Sequence, residues 1–196
     1  MRPKGFTATP LGTVVVLLVT TALILGGLWL VKGRGSSSTG GGPVAADDAG
    51  SPSTAAAAPK VGEPAADFTA TDIEGAKVSL ADLRGRPVWL VFGATWCRDC
   101  RSETVDVEAV QQALGNKATI VAIYVGDDQT AVQGYADRLG LTYTHVADPD
   151  SALGDTYRVM GVPTHHFIAP DGTTAEIKVG PLTKSTALDI LNGLLG

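Results

Sequence analysis

With 196 residues, of which 44% are apolar and 18% charged, the chain has the composition of an ordinary folded protein. Its 15 basic and 20 acidic residues give a net charge of −5, and removing the four basic and two acidic residues ahead of Lys60 leaves 11 against 18, or −7. A folded part of that sign argues against nucleic acid as a partner.

The apolar residues are unevenly spread. Leu11 to Val31 runs 21 residues without a charge, and a helix of that length, rising about 1.5 Å per residue, spans a hydrocarbon core of roughly 30 Å. Arg2 and Lys4 precede the run, and Lys32 and Arg34 follow it, so charge alone barely orients it. A cleaved signal peptide has a shorter apolar region closely followed by a small-residue cleavage site, which is missing here, and no cysteine stands nearby to take a lipid. Residues 11–31 are therefore expected to be an uncleaved transmembrane signal anchor, with 1–10 a short cytoplasmic tail. The short tail and long downstream part fit an N-in, C-out topology, which makes the protein a single-pass protein of the cell membrane with its folded domain extracytoplasmic. Residues 32–60 are built almost wholly from Gly, Ser, Thr, Ala and Pro. They bury too little apolar surface to offset the entropy of ordering, and a flexible coil of that length spans roughly 30 Å.

Residues 61–196 remain as one domain. Pro64 to Leu80 reads as a hairpin, with strands at Phe68–Thr71 and Lys77–Leu80 and a turn at Glu74-Gly75. Val88–Phe92 is a continuous apolar run of strand length, as expected of a strand buried on both faces. From Arg101 the apolar residues Val105, Val107, Ala109, Val110, Ala113 and Leu114 fall at helical spacing until Gly115-Asn116 ends the run. Thr119–Val125 is a second buried strand, and Asp127 or Asp128 can cap a helix that Gly140 stops after Leu139. Strands at Tyr143–Val146 and Thr164–Ala169, a short helix at Ser151–Tyr157, the turn signal Asp171-Gly172 leading into Ala175–Val179, and a last helix at Lys184–Leu195 complete the chain. Strands alternating with helices, closed by an antiparallel hairpin and a helix, describe an α/β domain whose mixed sheet is covered on both faces.

The two cysteines of the chain, Cys97 and Cys100, stand three apart between the strand ending at Phe92 and the helix that follows. A Cys-x-x-Cys at the first turn of a helix aims its thiols at unsatisfied backbone N–H groups and the positive end of the helix dipole, which favours a thiolate. A thiolate beside a second thiol can exchange disulfides.

Together, Val91-Phe-Gly-Ala-Thr-Trp-Cys-Arg-Asp-Cys-Arg101, Glu103, Val121–Gly126 and Gly161-Val-Pro-Thr164, the last followed by an apolar strand and Pro170-Asp-Gly172, resemble the TlpA/ResA-like branch of the thioredoxin fold over about residues 61–193. These are membrane-anchored extracytoplasmic thiol-disulfide oxidoreductases. The resemblance implies a thioredoxin-like fold with an N-terminal β-hairpin extension, the Cys97–Cys100 dithiol as the sole redox group with no other cofactor, and protein thiols or disulfides as substrates. Cys97, nearer the helix start and more exposed, becomes the attacking thiolate, and Cys100 resolves the mixed disulfide. Trp96 shields the sulfur, and a cis Val162-Pro163 bond offers the backbone of Val162 to an extended substrate. The family carries a glutamate three residues after its second cysteine, and Glu103 stands there as the expected proton carrier. Family analogy favours reduction of substrates, with apocytochrome c among the candidates and electrons supplied by a membrane redox partner. Two departures stand out: Asp99 and Thr104 occupy positions where most relatives have proline. Arg98 favours a thiolate and Asp99 opposes it.

A different chemistry is available to the same residues. His165 and His166 follow Pro163 on a strand and point to opposite faces. Copper chaperones of the Sco type combine two cysteines with a histidine on this fold, but their cysteines are four apart, and the proline beside the site disfavours metal capture. No metal is expected, and hydrogen-bonded strand histidines are the default, His145 included. A structural zinc site lacks matching histidines, haem attachment lacks a histidine at position 101, and the sequence context of a peroxidatic cysteine is absent. A purely structural disulfide closing so short a loop would be a poor staple.

Overall fold

The structure is a computed structural model that describes residues 59–196; the expected anchor at 11–31 and all but the end of the linker at 32–60 lie outside the described residues. Among the described residues no helix is long and apolar enough to cross a membrane. The central strand β3 (Val88–Gly93) is buried at every position. It pairs parallel with β4 (Thr119–Val125) and antiparallel with β6 (Thr164–Ile168). Outside these, β5 (Thr144–Asp148) runs parallel to β4, and β7 (Thr174–Val179) runs antiparallel to β6. The sheet order is thus β5-β4-β3-β6-β7, mixed as expected.

Alternation along β3 divides the core. Trp89 and Val91 join one cluster with Val107, Val110, Phe167 and Leu191, whereas Val88, Leu90 and Phe92 join another with Val121, Ile123 and Tyr157. Each such side chain, fully buried, stabilises the fold by about 1.5–3 kcal/mol. The first cluster takes its helical share from α1 (Arg98–Leu114), α2 (Gln129–Leu139) and α4 (Lys184–Leu195). The second is closed by Phe68, Val78 and Leu80 around the hairpin of β1 (Thr69–Thr71) and β2 (Lys77–Ser79). Gly75, at φ +88°, makes the hairpin turn where a side chain would be strained.

The element ends depart from sequence expectation in informative ways. α1 begins at Arg98, not Arg101, because Cys97 is its N-cap and the Cys97 sulfur accepts the Cys100 N–H at 3.1 Å. Of the two caps expected for α2, Asp128 is the one used, its carboxylate accepting the Ala131 N–H at 2.8 Å. β5 extends to Asp148, whose carboxylate accepts the N–H groups of Leu153 and Gly154 in the short α3 (Ala152–Thr156) and so fixes the strand-to-helix turn. The parallel pair β3 and β4 carries the cysteine loop at its C-terminal end, where connections to helices leave a crevice.

Candidate active site

The loop from β3 to α1 is held before it reaches the cysteines. Asp127, buried just beyond β4, accepts the Thr95 N–H at 2.6 Å through one oxygen and the Thr95 hydroxyl at 3.1 Å through the other. The Cys97 N–H then donates to the Ala94 carbonyl at 3.2 Å. Cys97 and Cys100 are joined as a disulfide, their Cα atoms 5.3 Å apart. The backbone N–H of Cys100 aimed at the Cys97 sulfur is a donor that would favour negative charge there after reduction. From the opposite side the Val162 carbonyl oxygen lies 3.8 Å from the same sulfur, and the Val162-Pro163 peptide is cis, as expected.

One expectation needs correction. Cys97 is not more exposed than Cys100, since both residues are 7% exposed, with Val162 packed against the pair. They differ in direction instead. Cys97 borders an open groove of about 660 Å³ lined by Trp96, Arg98, Asp99, Met160 and Val162. Trp96 is 67% and Met160 96% exposed on its walls. Cys100 borders an internal cavity of about 20 Å³ shared with Glu103, Thr104 and Tyr135, which has room for about one water. The Thr104 hydroxyl is bonded there to the Cys100 carbonyl at 2.9 Å and to the Tyr135 hydroxyl at 2.8 Å. Thr104 is thus part of the wall behind Cys100.

Glu103 is buried on α1. Its Oε2 accepts the Leu182 N–H at 3.0 Å and lies 3.5 Å from His165 Nε2. Burial pushes its carboxyl up to about 7; the Leu182 N–H opposes this, and the charges of Asp106 and Asp99 add to it. An acid that changes charge near neutrality, beside a redox pair, can take up or give a proton there.

His165 and His166 face opposite sides of the sheet, as alternation requires. His165 Nδ1 accepts the Trp89 indole N–H at 3.3 Å, and its Nε2 lies 3.1 Å from the Gly180 carbonyl oxygen. Burial pushes its pKa down to about 4, with the Gly180 carbonyl opposing and His166 adding. His166 lies edge-on to Phe92 and Tyr157, at centroid distances of 5.6 and 5.0 Å, and both its ring nitrogens lack a hydrogen-bond partner among the described residues. Burial holds it near 4 as well. His145 Nδ1 is 3.0 Å from the Tyr124 hydroxyl, on β5 and away from the cysteines. Among the described residues no three His, Cys, Asp or Glu side chains are grouped to hold a metal ion.

Trp96, Cys97, Cys100, Glu103, Val162 and Pro163, the residues expected from sequence, all lie at one end of the sheet. Sequence reasoning missed Asp127, Met160, Leu182 and the link from His165 to Glu103. The neighbouring acids Asp127-Asp128 carried a usable signal, since only one of them can cap α2.

Residues 61–177 match the AhpC/TSA family. Over 132 residues the chain is 31% identical to the thiol-disulfide oxidoreductase ResA of Bacillus subtilis, covering 67% of this chain and 74% of that protein. Among solved structures, a thiol:disulfide interchange protein of the thioredoxin family from Chlorobium tepidum is similar at TM-score 0.63 and 28% identity, over 68% of this chain and 97% of that one. A secreted Mycobacterium tuberculosis disulfide oxidoreductase homologous to E. coli DsbE is similar at TM-score 0.59 and 28% identity, over 65% and 96% of the two chains.

Proposed function

The chain belongs to the AhpC/TSA family and, within it, to the ResA-like thiol-disulfide oxidoreductases, and we propose that it acts as a reductant of protein disulfides outside the cytoplasm. Residues 11–31 tether it to the cell membrane, and a membrane redox partner returns it to the dithiol form. That a similar disulfide oxidoreductase is a secreted protein supports the compartment. Substrates are cysteine-containing proteins, with apocytochrome c one candidate.

The chemistry runs through two exchanges. The Cys97 thiolate, favoured by the Cys100 N–H, attacks one sulfur of a substrate disulfide; the S–S bond breaks, a mixed disulfide forms, and one substrate thiolate leaves. Glu103 then takes the Cys100 proton, and the Cys100 thiolate attacks the Cys97 sulfur. The mixed disulfide breaks, the second substrate thiolate leaves, and the enzyme holds Cys97–Cys100 as a disulfide. Two electrons have passed to the substrate. Trp96 and the backbone of Val162 line the groove in which an extended peptide would lie beside Cys97. Copper carriage is not favoured, because His165 Nε2 is engaged with Gly180 and Glu103 rather than with the sulfurs.

The observation that carries this reading is the division of the pair: Cys97 faces an open groove and Cys100 faces a buried acid. Redox titration of the full-length chain tests the direction. A potential well below about −200 mV supports a reductant, and one near about −120 mV reverses the proposal. In the same preparation, Cys100→Ser should trap substrate through Cys97; failure to do so removes Cys97 as the attacking sulfur.

A further inference from the structure

We infer that His165 is a positioning residue for Glu103: its Nε2–H, fixed in place by the Trp89 indole, faces one carboxyl oxygen so that the proton exchanged with the cysteine pair rides on the other, Oε1. This rests on the reading of Glu103 as the proton carrier.

The indole N–H of Trp89 can only donate. Trp89 sits on β3 beside the antiparallel β6, two positions from the Val91–His165 pair, with its ring centroid 5.7 Å from that of His165. Its N–H points at Nδ1. An imidazole that accepts at Nδ1 is neutral and carries its proton on Nε2. The Nε2–H therefore meets two acceptors, the Gly180 carbonyl and Glu103 Oε2. Close approach of a histidine and a glutamate would ordinarily read as an ion pair; here it is a neutral donor beside a carboxyl. Oε2 also receives the Leu182 N–H, so donors from two separate segments converge on it. A proton placed on Oε2 would point at a donor, which leaves Oε1 as the protonated oxygen.

The groups that act on this carboxyl are few. Asp99 and Asp106 on α1 raise its proton affinity, Leu182 lowers it from the segment after β7, and His165 faces it from β6, with His166 acting on His165. Loss of the His165 donor should weaken the carboxylate form and move the Glu103 midpoint up by roughly one pH unit, a tenfold change in proton affinity.

Carbon-13 labelling of glutamate side-chain carboxyls in the full-length oxidised chain reads this directly. The chain has five glutamates, and the resonance lost in Glu103→Gln is that of Glu103. His165→Leu should shift its midpoint upward by about one unit, His165→Gln should return it toward wild type by restoring an N–H donor, and Trp89→Phe should move it in the same direction as His165→Leu. Nitrogen-15 spectra of the wild-type imidazoles should show His165 neutral and protonated on Nε2 at pH 7. An unmoved Glu103 midpoint in Trp89→Phe and His165→Leu overturns the proposal, as does a cationic or Nδ1–H His165. Should His165→Leu fail to fold, Trp89→Phe and the wild-type nitrogen spectrum decide alone. Failure of the proton-carrier reading has a separate signature: an exchange rate whose pH profile is the same in Glu103→Gln and wild type.

Discussion

The two sulfurs of the active site look into opposite surroundings. On the Cys97 side lie exposed, long side chains, Trp96 and Met160 above all, around an open groove of about 660 Å³. On the Cys100 side the cavity is lined by buried residues, and polar groups are matched: Thr104 with Tyr135, Glu103 with Leu182 and His165, His165 with Trp89. A residue spacing of three is enough to separate these worlds because Cys97 is the cap, outside the helix, and Cys100 is inside its first turn. The outer side can therefore be wet and tolerant, while the inner side must be closed to bulk water to hold an acid near neutrality. The proposed function assigns substrate choice to the first region and proton control to the second.

The largest expected break of this division comes from the inner side. Glu103 keeps its proton up to about 7 when folded, against an ordinary value of 4.5, so the folded chain binds a proton that the unfolded chain has released. Its contribution to stability is therefore full below pH 4.5 and is lost as pH rises through 7, a difference of about 3 kcal/mol. The three histidines, held near 4, act with the opposite sign, their contribution being lost as pH falls from 6.5 toward 4. Denaturant unfolding of wild type and Glu103→Gln across pH 4–8 isolates the glutamate as the difference between the two curves. A flat difference would mean that the inner side does not hold a neutral acid.

A smaller effect is expected where the two regions are joined. Asp127→Ala removes the carboxylate that holds Thr95, and loss of the charged hydrogen bonds should cost about 2 kcal/mol, read as a lower denaturant midpoint at unchanged slope. The Glu103 midpoint should stay where it is, since both Asp127 carboxylate oxygens are engaged with Thr95 in the cysteine loop. The smallest effect belongs to the outer side. Met160→Ser should change stability by less than about 0.5 kcal/mol. It should lower kcat/KM for a protein disulfide by roughly fivefold, about 1 kcal/mol, with a small disulfide substrate unaffected. Equal losses for both substrates would move Met160 out of substrate recognition.

The cysteine spacing, the buried strand before it and the glutamate after it are local patterns, and each survived contact with the fold nearly residue for residue. The start of α1 did not, because Arg98-Asp-Cys-Arg-Ser-Glu offers no apolar period; what begins that helix is a sulfur accepting a backbone N–H. Asp127 and Asp128 are chemically the same, and only the return of β4 beside β3 decides which of them serves the cysteine loop. His165 and Glu103 are 62 positions apart in sequence and meet where α1 packs against β6, so nothing local announces the pair. The correction to Cys97 has the same origin, since a distant segment, Val162, covers it.

The donor at Leu182 is a backbone group, and this has an evolutionary corollary. Nineteen of the twenty amino acids offer the same N–H at that position; proline alone does not. A family alignment could therefore display position 182 as freely variable while the carboxyl beneath it experiences an unvarying contact. The proton chemistry proposed for Glu103 would then be conserved at a place where the letters are not.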